Sequence, residues 1–451
     1  MKSKISFLFS VLAIASIASA QSYNSALLTP VSPYNSLVQN VVRSWNEKYV
    51  VTFHSNPDVM FSCTDYSNFS GTYNPLCFAS NGYHSDALPS NYMVEDVRIM
   101  DDTAWFCGLV EHGTPQRPDL YGLVGWFDLN NFISGIFEPH FIELPFSAGL
   151  YRMAVYRDRG QCKAVCIGYD KTTMEKNQVV EIDNVATSTS CNCHTLPNTS
   201  GITEICDDIL YTGTNVVVIG RAVSSTYTTY CVRVADNPSS ISSTQFNKLV
   251  VFIPSTNELN GVPKATHLGN GDIAMIYDRF DGANFTSRLR VIKTSSFPPS
   301  NAYSQEFVIY KDSEASDMVY HKKSNKLVVL QPNQNFYSYL PQFTFLEPYN
   351  TSPYSADITH FYSNYHFNSM DLYKKDNIVA VSADATYLQY IPILDNSGCP
   401  FNDPIMVNPI LNNSELFLTR SVPTSLYVYT PYFFSKRTYG MRWECDCCNG
   451  F

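Results

Sequence analysis

A weak internal repeat constrains the fold of this chain more than any other feature. Short apolar runs rich in β-branched and aromatic residues begin near residues 50, 105, 165, 217, 273, 327 and 378, at intervals of 51 to 60 residues. Gly, Pro, Asn, Asp and Ser separate these runs, which is typical of strands joined by turns. One blade of three or four strands cannot bury both of its faces alone, whereas stacking around a ring supplies the missing contacts. The repeat therefore predicts an all-β fold, a β-propeller with seven blades of three to four antiparallel strands.

The three clearest copies of the repeat share two small motifs. An apolar strand ends in glycine, at Gly108, Gly168 and Gly220. After a polar connection, a second strand ends in an aspartate that we interpret as structural, and these aspartates are Asp128, Asp183, Asp236 and, in a later copy, Asp395. Cys107 takes the slot held elsewhere by Ile167 and Ile219, so the repeat predicts a small buried hydrophobic residue there.

The predicted domain organisation follows from these intervals. A signal peptide covers residues 1–20, and a single propeller domain covers residues 21–451. The blades are expected near 42–93, 94–149, 150–201, 202–262, 263–315, 316–365 and 366–434, followed by a cysteine-rich tail at 435–451. We expect strands at 25–31 and 415–434 to complete one blade from both ends of the chain and so to lock the ring.

The first twenty residues carry an export signal. Lys2 and Lys4 precede an apolar run at 5–17, and an Ala-Ser-Ala sequence ends at Ala20. This order is typical of a cleavable secretory signal, and the run is shorter than the ~20 apolar residues that span a bilayer. Gln21 follows in place of the cysteine of a bacterial lipid anchor. The sequence predicts a secreted or periplasmic protein without a membrane span.

Charge and motif content narrow the function classes. The chain has 30 Lys and Arg against 40 Asp and Glu, a net charge of −10, and no basic run, which argues against nucleic-acid binding. The sequence motifs of serine hydrolases, zinc proteases, phosphate-binding loops and EF-hands are all missing. We therefore predict no cofactor and no metal.

The thirteen cysteines suit an oxidising compartment, where disulfide bonds are expected, although an odd number leaves one unpaired. Cys63 and Cys77 are candidates to close a short loop. Cys191, Cys193 and Cys206 lie close together in the sequence, which is compatible with disulfide bonds, with plain burial or with a metal site. The paired C-x-x-C spacing of zinc sites is missing, which favours the first two readings.

One stretch resembles a known group of proteins. The phrase consists of Val94-Glu95-Asp96-Val97, then Trp105-Phe106-Cys107-Gly108, then Gly-Leu-Val-Gly-Trp-Phe-Asp at 122–128. It is similar to uncharacterised exported proteins of Bacteroidota that look like propellers. The signatures of the Trp-Asp-repeat, kelch and sialidase propellers are missing. The resemblance implies the fold and export and adds no chemistry.

Acidic residues recur on the strands expected to be innermost. Asp96 and Asp208 each lie 12 residues before the glycine of their repeat, and Asp317 and Asp371 fit the same position by looser alignment. Innermost strands line the central channel, so these carboxylates are candidates to bind a cation or to act as an acid/base pair. A glycosidase needs two of them ~5–9.5 Å apart. The preferred alternative is that each aspartate hydrogen-bonds nearby backbone and fixes its blade.

The connection between the sixth and seventh repeats, at residues 360–367, is the other candidate site. Tyr362, Tyr365 and His366 offer aromatic faces beside polar groups, which suit a sugar or a protein partner. The alternative is a strand whose aromatic residues face the interior.

These observations favour an exported, non-catalytic recognition or scaffold propeller that binds a glycan or an extracellular protein. The alternative is a carbohydrate-active enzyme, a glycoside hydrolase or lyase, that uses the carboxylates at the channel mouth. The enzyme needs two carboxylates that face each other in an open pocket, whereas the binding module needs exposed aromatic and polar side chains.

Overall fold

The structure is a computed structural model of the chain. It describes residues 21–27, 41–45, 49–55, 59–65, 84–89, 91–114, 117–183, 191–196, 201–224, 228–237, 241, 246, 249–252, 262–280, 285–296, 299–301, 307–311, 317–322, 325–331, 342–349, 357–360, 367–373, 377–382, 387–392, 406–409, 415–420, 426–431 and 439–443. The predicted signal peptide at 1–20 lies outside the described residues.

The described secondary structure is almost entirely β. The strands are β1 (Gln21–Leu27), β2 (Val41–Trp45), β3 (Tyr49–Ser55), β4 (Val59–Asp65), β5 (His84–Ala87), β6 (Tyr92–Met100), β7 (Thr103–Thr114), β8 (Arg117–Asp128), β9 (His140–Leu144), β10 (Ser147–Asp158), β11 (Gln161–Asp170), β12 (Gln178–Asp183), β13 (Cys191–Thr195), β14 (Thr203–Tyr211), β15 (Val216–Val223), β16 (Thr228–Ala235), β17 (Leu249–Phe252), β18 (Lys264–His267), β19 (Asp272–Phe280), β20 (Phe285–Lys293), β21 (Ser300–Asn301), β22 (Phe307–Lys311), β23 (Asp317–His321), β24 (Lys326–Gln331), β25 (Gln342–Leu346), β26 (Asp357–His360), β27 (Phe367–Tyr373), β28 (Asn377–Ser382), β29 (Tyr387–Pro392), β30 (Met406–Pro409), β31 (Glu415–Arg420), β32 (Leu426–Pro431) and β33 (Tyr439–Trp443).

A single short helix, α1 (Leu129–Ile133), is present among the described residues. The side chain of Asp128, which ends β8, accepts a hydrogen bond from the Asn131 amide and so caps the helix. The part of the chain that the structure describes holds no helix with the length and apolar character needed to cross a membrane.

Consecutive strands form antiparallel sheets that follow the repeat. Blades 1 to 6 are β2–β5, β6–β9, β10–β13, β14–β17, β18–β21 with β22 also paired to β20, and β23–β26. Blade 7 is β27, β28 and β29, extended by β1 and then β33, and β30–β32 form a separate three-stranded sheet.

The first strand of each blade is the innermost one. In the order β2, β6, β10, β14, β18, β23 and β27, each of these strands lies beside the next, and β27 contacts β2. The seven first strands therefore surround a channel and close a ring. The predicted all-β, seven-bladed propeller is confirmed.

Both chain ends contribute to blade 7, but not as predicted. β1 supplies its fourth strand, with Ser25 opposite Gln389 of β29. The predicted partner at 415–434 is wrong, because β31 and β32 pair within the separate sheet. The free edge of β1 is taken by β33 instead, with Gln21 opposite Trp443.

Hydrophobic contacts between neighbouring blades form the core. In β15, Val216 and Val218 pack toward blade 3, whereas Val217 and Ile219 pack toward blade 5. Each strand thus buries both faces, which explains its continuous apolar run. Cys107 is fully buried in the corresponding contact between blades 2 and 3, as the repeat predicts. Fully burying one valine or isoleucine side chain of these contacts contributes ~1.5–3 kcal/mol.

Gly108 and Gly220, which lie inside β7 and β15 and not at the strand ends that the sequence predicts, permit a close backbone contact. Each lies opposite an irregularity in the innermost strand of its blade, after Val94 and after Cys206. A Cβ atom on Gly108 would lie 1.9 Å from the carbonyl oxygen of Met93, and one on Gly220 would lie 1.9 Å from that of Ile205. The backbone cannot accommodate a side chain at either position without moving.

We predict that Gly220→Ala lowers the free energy of unfolding by roughly 3 kcal/mol or more, because the innermost strand has to shift. Gly213→Ala in the β14–β15 hairpin is the matched control. Its Cβ would meet no atom within 4 Å, and its positive φ of 89° costs only about 1 kcal/mol. Urea unfolding of both variants measures the difference, and equal losses would contradict the close-contact explanation.

Candidate functional site

The innermost strands leave one backbone edge without a strand partner. In each blade the first strand pairs with the second strand on one side only, so its other edge faces the channel and the neighbouring blade. Buried N–H and C=O groups on such an edge need partners. Side chains of the preceding blade supply them at two positions.

Asp96 connects blade 2 to blade 3. Its Oδ1 accepts a hydrogen bond from the Val97 amide at 2.9 Å, and its Oδ2 accepts one from the Met153 amide of β10 at 3.1 Å. The residue is 2% exposed. The carbonyl oxygen of Met153 accepts a hydrogen bond from Nε of Arg98 at 3.0 Å, so both edge groups of Met153 are satisfied from blade 2.

Asp208 repeats this arrangement between blades 4 and 5. Its Oδ1 accepts from the Ile209 amide at 2.9 Å, and its Oδ2 accepts from the Ala265 amide of β18 at 3.2 Å. In both cases the bridged amide lies 57 residues further along the chain, which is one blade. Asp317 makes the first of these bonds, accepting from the Met318 amide at 2.9 Å.

The four predicted acidic positions converge on the channel. Nε of Arg98 lies 3.1 Å from Oδ2 of Asp96, and its side chain is 35% exposed, so water reaches it. Burial lowers the pKa of Arg98, but the charges of Asp96, Asp208, Asp317 and Asp371 reverse this effect and raise it. The channel therefore holds a mixed network of charges rather than a cluster of carboxylates alone.

The geometry of Asp96 and Asp208 favours the structural reading of the repeated aspartate. A general acid or base must direct an oxygen at the reacting group. Both oxygens of each of these carboxylates are directed at backbone amides instead.

Two further channel cations, like Arg98, were not found by sequence reasoning. Arg152 lies opposite Ile167, the slot that Asp96 and Asp208 hold in blades 2 and 4. Lys264 begins β18 and lies opposite Ile276.

The pKa values of the two cations shift in opposite directions. Burial and the charge of Arg98 lower the pKa of Arg152, but the charges of Asp96 and Asp208 outweigh them and raise it. The charge of Arg152, followed by burial, lowers the pKa of Lys264 to about 8 from its usual 10.5, and Asp208, Asp317 and Asp96 offset only part of this effect. Nη1 of Arg152 donates to the carbonyl oxygens of Tyr151 at 2.7 Å and Glu95 at 3.4 Å.

A second group of polar side chains lies on one face of the ring. We call it the upper face, the end that carries the start of β6, the β7–β8 hairpin and the end of β11. Nε2 of His112 lies 2.8 Å from Oε2 of Glu143, and the hydroxyl of Tyr92 donates to Oε1 of Glu143 at 3.5 Å. The side chains of His112 and Glu143 remain 41% and 35% exposed.

Aromatic and ionic contacts extend this group to blade 3. The ring of Tyr121 packs edge-on against His112, with centroids 5.0 Å apart. Nζ of Lys171, at the start of the turn after β11, lies 3.8 Å from the centroid of Tyr121 and 2.6 Å from Oδ1 of Asp119. The result is an accessible surface with one cation, two carboxylates and aromatic groups.

The remaining predicted sites have the following outcomes. Tyr362, Tyr365 and His366 lie outside the described residues, as does Cys77.

The cysteines whose side chains are described are all free thiols, so the expected disulfides are missing among them. These cysteines are Cys107, Cys162, Cys166, Cys191, Cys193, Cys206 and Cys231. The described residues also contain no group of three or more His, Cys, Asp or Glu arranged to hold a metal.

No protein-family model matches this chain, and no curated protein is similar to it in sequence. Several solved structures align with most of this chain at low sequence identity. The polysaccharide lyase Uly1 is 11% identical, over 84% of this chain and 94% of its own, with a TM-score of 0.47. An ulvan lyase from a new polysaccharide lyase family is 8% identical over 83% and 96%, also at 0.47. The β-propeller domain of the Trilobed protease from Pyrococcus furiosus is 7% identical over 77% and 95%, at 0.40.

We predict that Asp208→Ala lowers the free energy of unfolding by roughly 2–4 kcal/mol, because the Ile209 and Ala265 amides lose their acceptor. Asp208→Asn, which keeps one acceptor oxygen, should fall between the wild type and the alanine variant. Asp119→Ala is the control, because its surface ion pair contributes little. Denaturant unfolding tests this, and an Asp208→Ala variant as stable as the control would contradict the bridging role.

We also predict that Lys264→Met stabilises the protein at pH 7, by roughly 1–2 kcal/mol after allowance for solvent screening. Below pH 8 Lys264 is protonated in both the folded and the unfolded protein. In the folded protein the charge of Arg152 repels it, whereas in the unfolded chain this repulsion is absent. Between pH 8 and 10.5 the unfolded state binds more protons, so wild-type stability rises with pH and the advantage of the variant shrinks.

Urea unfolding at pH 7 and pH 9.5 measures this advantage, with Lys326→Met as the control. Lys326 lies in a partly exposed ion pair with Glu347, at 3.2 Å. A loss of stability at pH 7, or the same gain at both pH values, would show that Lys264 is not held in a repulsive environment.

Proposed function

We propose that this chain is an exported, non-catalytic recognition propeller that binds a glycan on its upper face. The observation that carries the proposal is the accessible group of Tyr92, His112, Tyr121 and Glu143. These side chains combine aromatic surface with hydrogen-bonding groups that remain partly exposed to water. Sugars are bound by this combination, since their C–H faces pack on aromatic rings and their hydroxyls need donors and acceptors.

The upper face is preorganised for binding. Glu143 positions both His112 and Tyr92, and Lys171 fixes the ring of Tyr121 from the next blade. These side chains therefore lose little rotational freedom when a ligand binds, which favours affinity.

The channel carboxylates give the enzyme alternative less support. Asp96 and Asp208 are committed to backbone amides, so neither directs an oxygen at a substrate. The loop with Tyr362, Tyr365 and His366 remains a proposed second contact region for the same ligand.

We predict that His112→Ala and Tyr121→Ala each weaken glycan binding at least tenfold without a large loss of stability. The measurement is affinity electrophoresis of the mature protein against a panel of neutral and anionic polysaccharides, followed by calorimetry on each one that binds. Tyr320→Ala is the matched control, because this half-buried tyrosine, whose hydroxyl donates to Asn325, lies at the opposite end of the ring.

Two results would contradict the proposal. One is that no polysaccharide of the panel binds, or that the upper-face variants bind as well as the control. The other is catalysis: release of new reducing or unsaturated ends that is lost in Asp371→Asn at unchanged melting temperature would favour the enzyme alternative.

A further inference from the structure

The β18–β19 turn lies where blade 5 meets blade 6, at the end of the ring opposite the upper face. Its residues, Leu268 to Gly271, connect the first two strands of blade 5. The side chain of Lys322, which follows β23 in blade 6, runs beside Gly269, where a Cβ atom would lie 3.3 Å from Cδ of the lysine. The turn therefore closes its own hairpin and also contacts the neighbouring blade.

Tyr349, which follows β25 in blade 6, is hydrogen-bonded to this turn. Its hydroxyl donates to Oδ2 of Asp272 at 3.2 Å and accepts from Nδ2 of Asn270 at 2.5 Å. Asn270 is fixed within the turn, because its Oδ1 accepts from the Asp272 amide at 3.0 Å. The polar contact between the two blades therefore requires the turn to keep its conformation.

The turn also depends on the protonation state of one histidine. The backbone N–H of Gly271 donates to Nε2 of His267 at 3.2 Å. A backbone N–H can only donate, so Nε2 carries no proton and the ring is neutral, with its proton on Nδ1. In the protonated ring Nε2 becomes a donor as well, and the hydrogen bond is lost.

The surroundings of His267 disfavour its charged form. The residue is half-buried. Burial lowers the pKa of His267 from its usual 6.5, Asp272 on β19 opposes this effect, and Lys322 adds to it. Further titratable groups on the neighbouring elements are Lys293 on β20, the buried His321 on β23 and Tyr349.

The lowered pKa sets the direction of the response to acid. The folded protein binds a proton on His267 less readily than the unfolded chain does. The stabilising effect of the neutral ring is therefore complete above pH 6.5 and is lost as the pH falls below that value. The proton comes from water, and the Gly271 amide is left without its acceptor.

We propose that the β18–β19 turn is an acid-sensitive latch between blades 5 and 6. At neutral pH the turn is closed and holds Tyr349 of blade 6. In mildly acidic solution His267 takes up a proton, the Gly271 amide is released and the turn loosens. The blades stay folded, because the hydrogen bond from the Leu268 amide to the Asp272 carbonyl and the hydrophobic core between the blades contain no titrating group. The latch does not depend on the proposed glycan-binding function.

Amide hydrogen exchange of the mature protein at pH 7.5 and pH 5 tests the latch. Rates are corrected for the intrinsic effect of pH and read by mass spectrometry on peptides that cover residues 268–272. We expect the protection of the turn to fall roughly fivefold or more on acidification, while peptides from β15 keep theirs. Equal protection of the turn at both pH values would overturn the proposal.

The ring itself is followed by NMR of protein labelled with ¹⁵N at histidine, and the signal of His267 is assigned by its absence from His267→Gln. We expect Nε2 to be unprotonated at pH 7.5 and the titration midpoint to lie below 6.5. A proton on Nε2 at pH 7.5, or a midpoint above 6.5, would contradict the latch.

Two glutamine variants identify the histidine that is responsible. His267→Gln has an amide oxygen near the position of Nε2 and does not titrate, so the exchange of its turn should not depend on pH in this range. His321→Gln is the matched control, because it removes the neighbouring buried histidine and should keep the wild-type response. A pH response that persists in His267→Gln, or one that disappears in His321→Gln, would overturn the proposal.

Discussion

The backbone edge of the innermost strands that lacks a strand partner is the constraint on which the rest of the structure depends. A propeller buries seven such edges around its channel, and each unpaired amide there costs free energy. Asp96 and Asp208 satisfy this edge from the preceding blade, reaching the amides of Met153 and Ala265. The same bonds join blade 2 to blade 3 and blade 4 to blade 5, next to the hydrophobic contacts between those blades.

The fold could be predicted from the sequence because each copy of the repeat contains the apolar strands that form the contacts between blades. Continuous apolar strands such as Val216-Val217-Val218-Ile219 are required when neighbouring blades cover both faces of a sheet. The positions of Asp96 and Asp208 were also readable, because the bridge needs the same residue at the same distance from the glycine. The assignment of 415–434 to the closing blade failed, because edge pairing at the chain ends leaves no signal in the repeat.

The channel cations were harder to find. Arg152 occupies the aspartate slot of blade 3, yet it lies 16 residues before Gly168 rather than 12, because the β10–β11 hairpin is longer. Lys264 begins a four-residue strand without the irregularity that marks β6 and β14. The upper-face group depends on contacts between β6, β7, β9 and the turn after β11, which no spacing in the sequence encodes. Catalysis and binding are properties of such sites rather than of the propeller fold.

Amide hydrogen exchange of Met153 and Ala265 tests the central claim most directly. Neither amide lies on the paired edge of its strand, so only the aspartate of the preceding blade protects it. The account predicts that both amides exchange as slowly as those in the middle of β15, and that Asp208→Ala deprotects Ala265 while Met153 stays protected. Exchange of both amides in the wild type at the rate of an unpaired strand edge would contradict it.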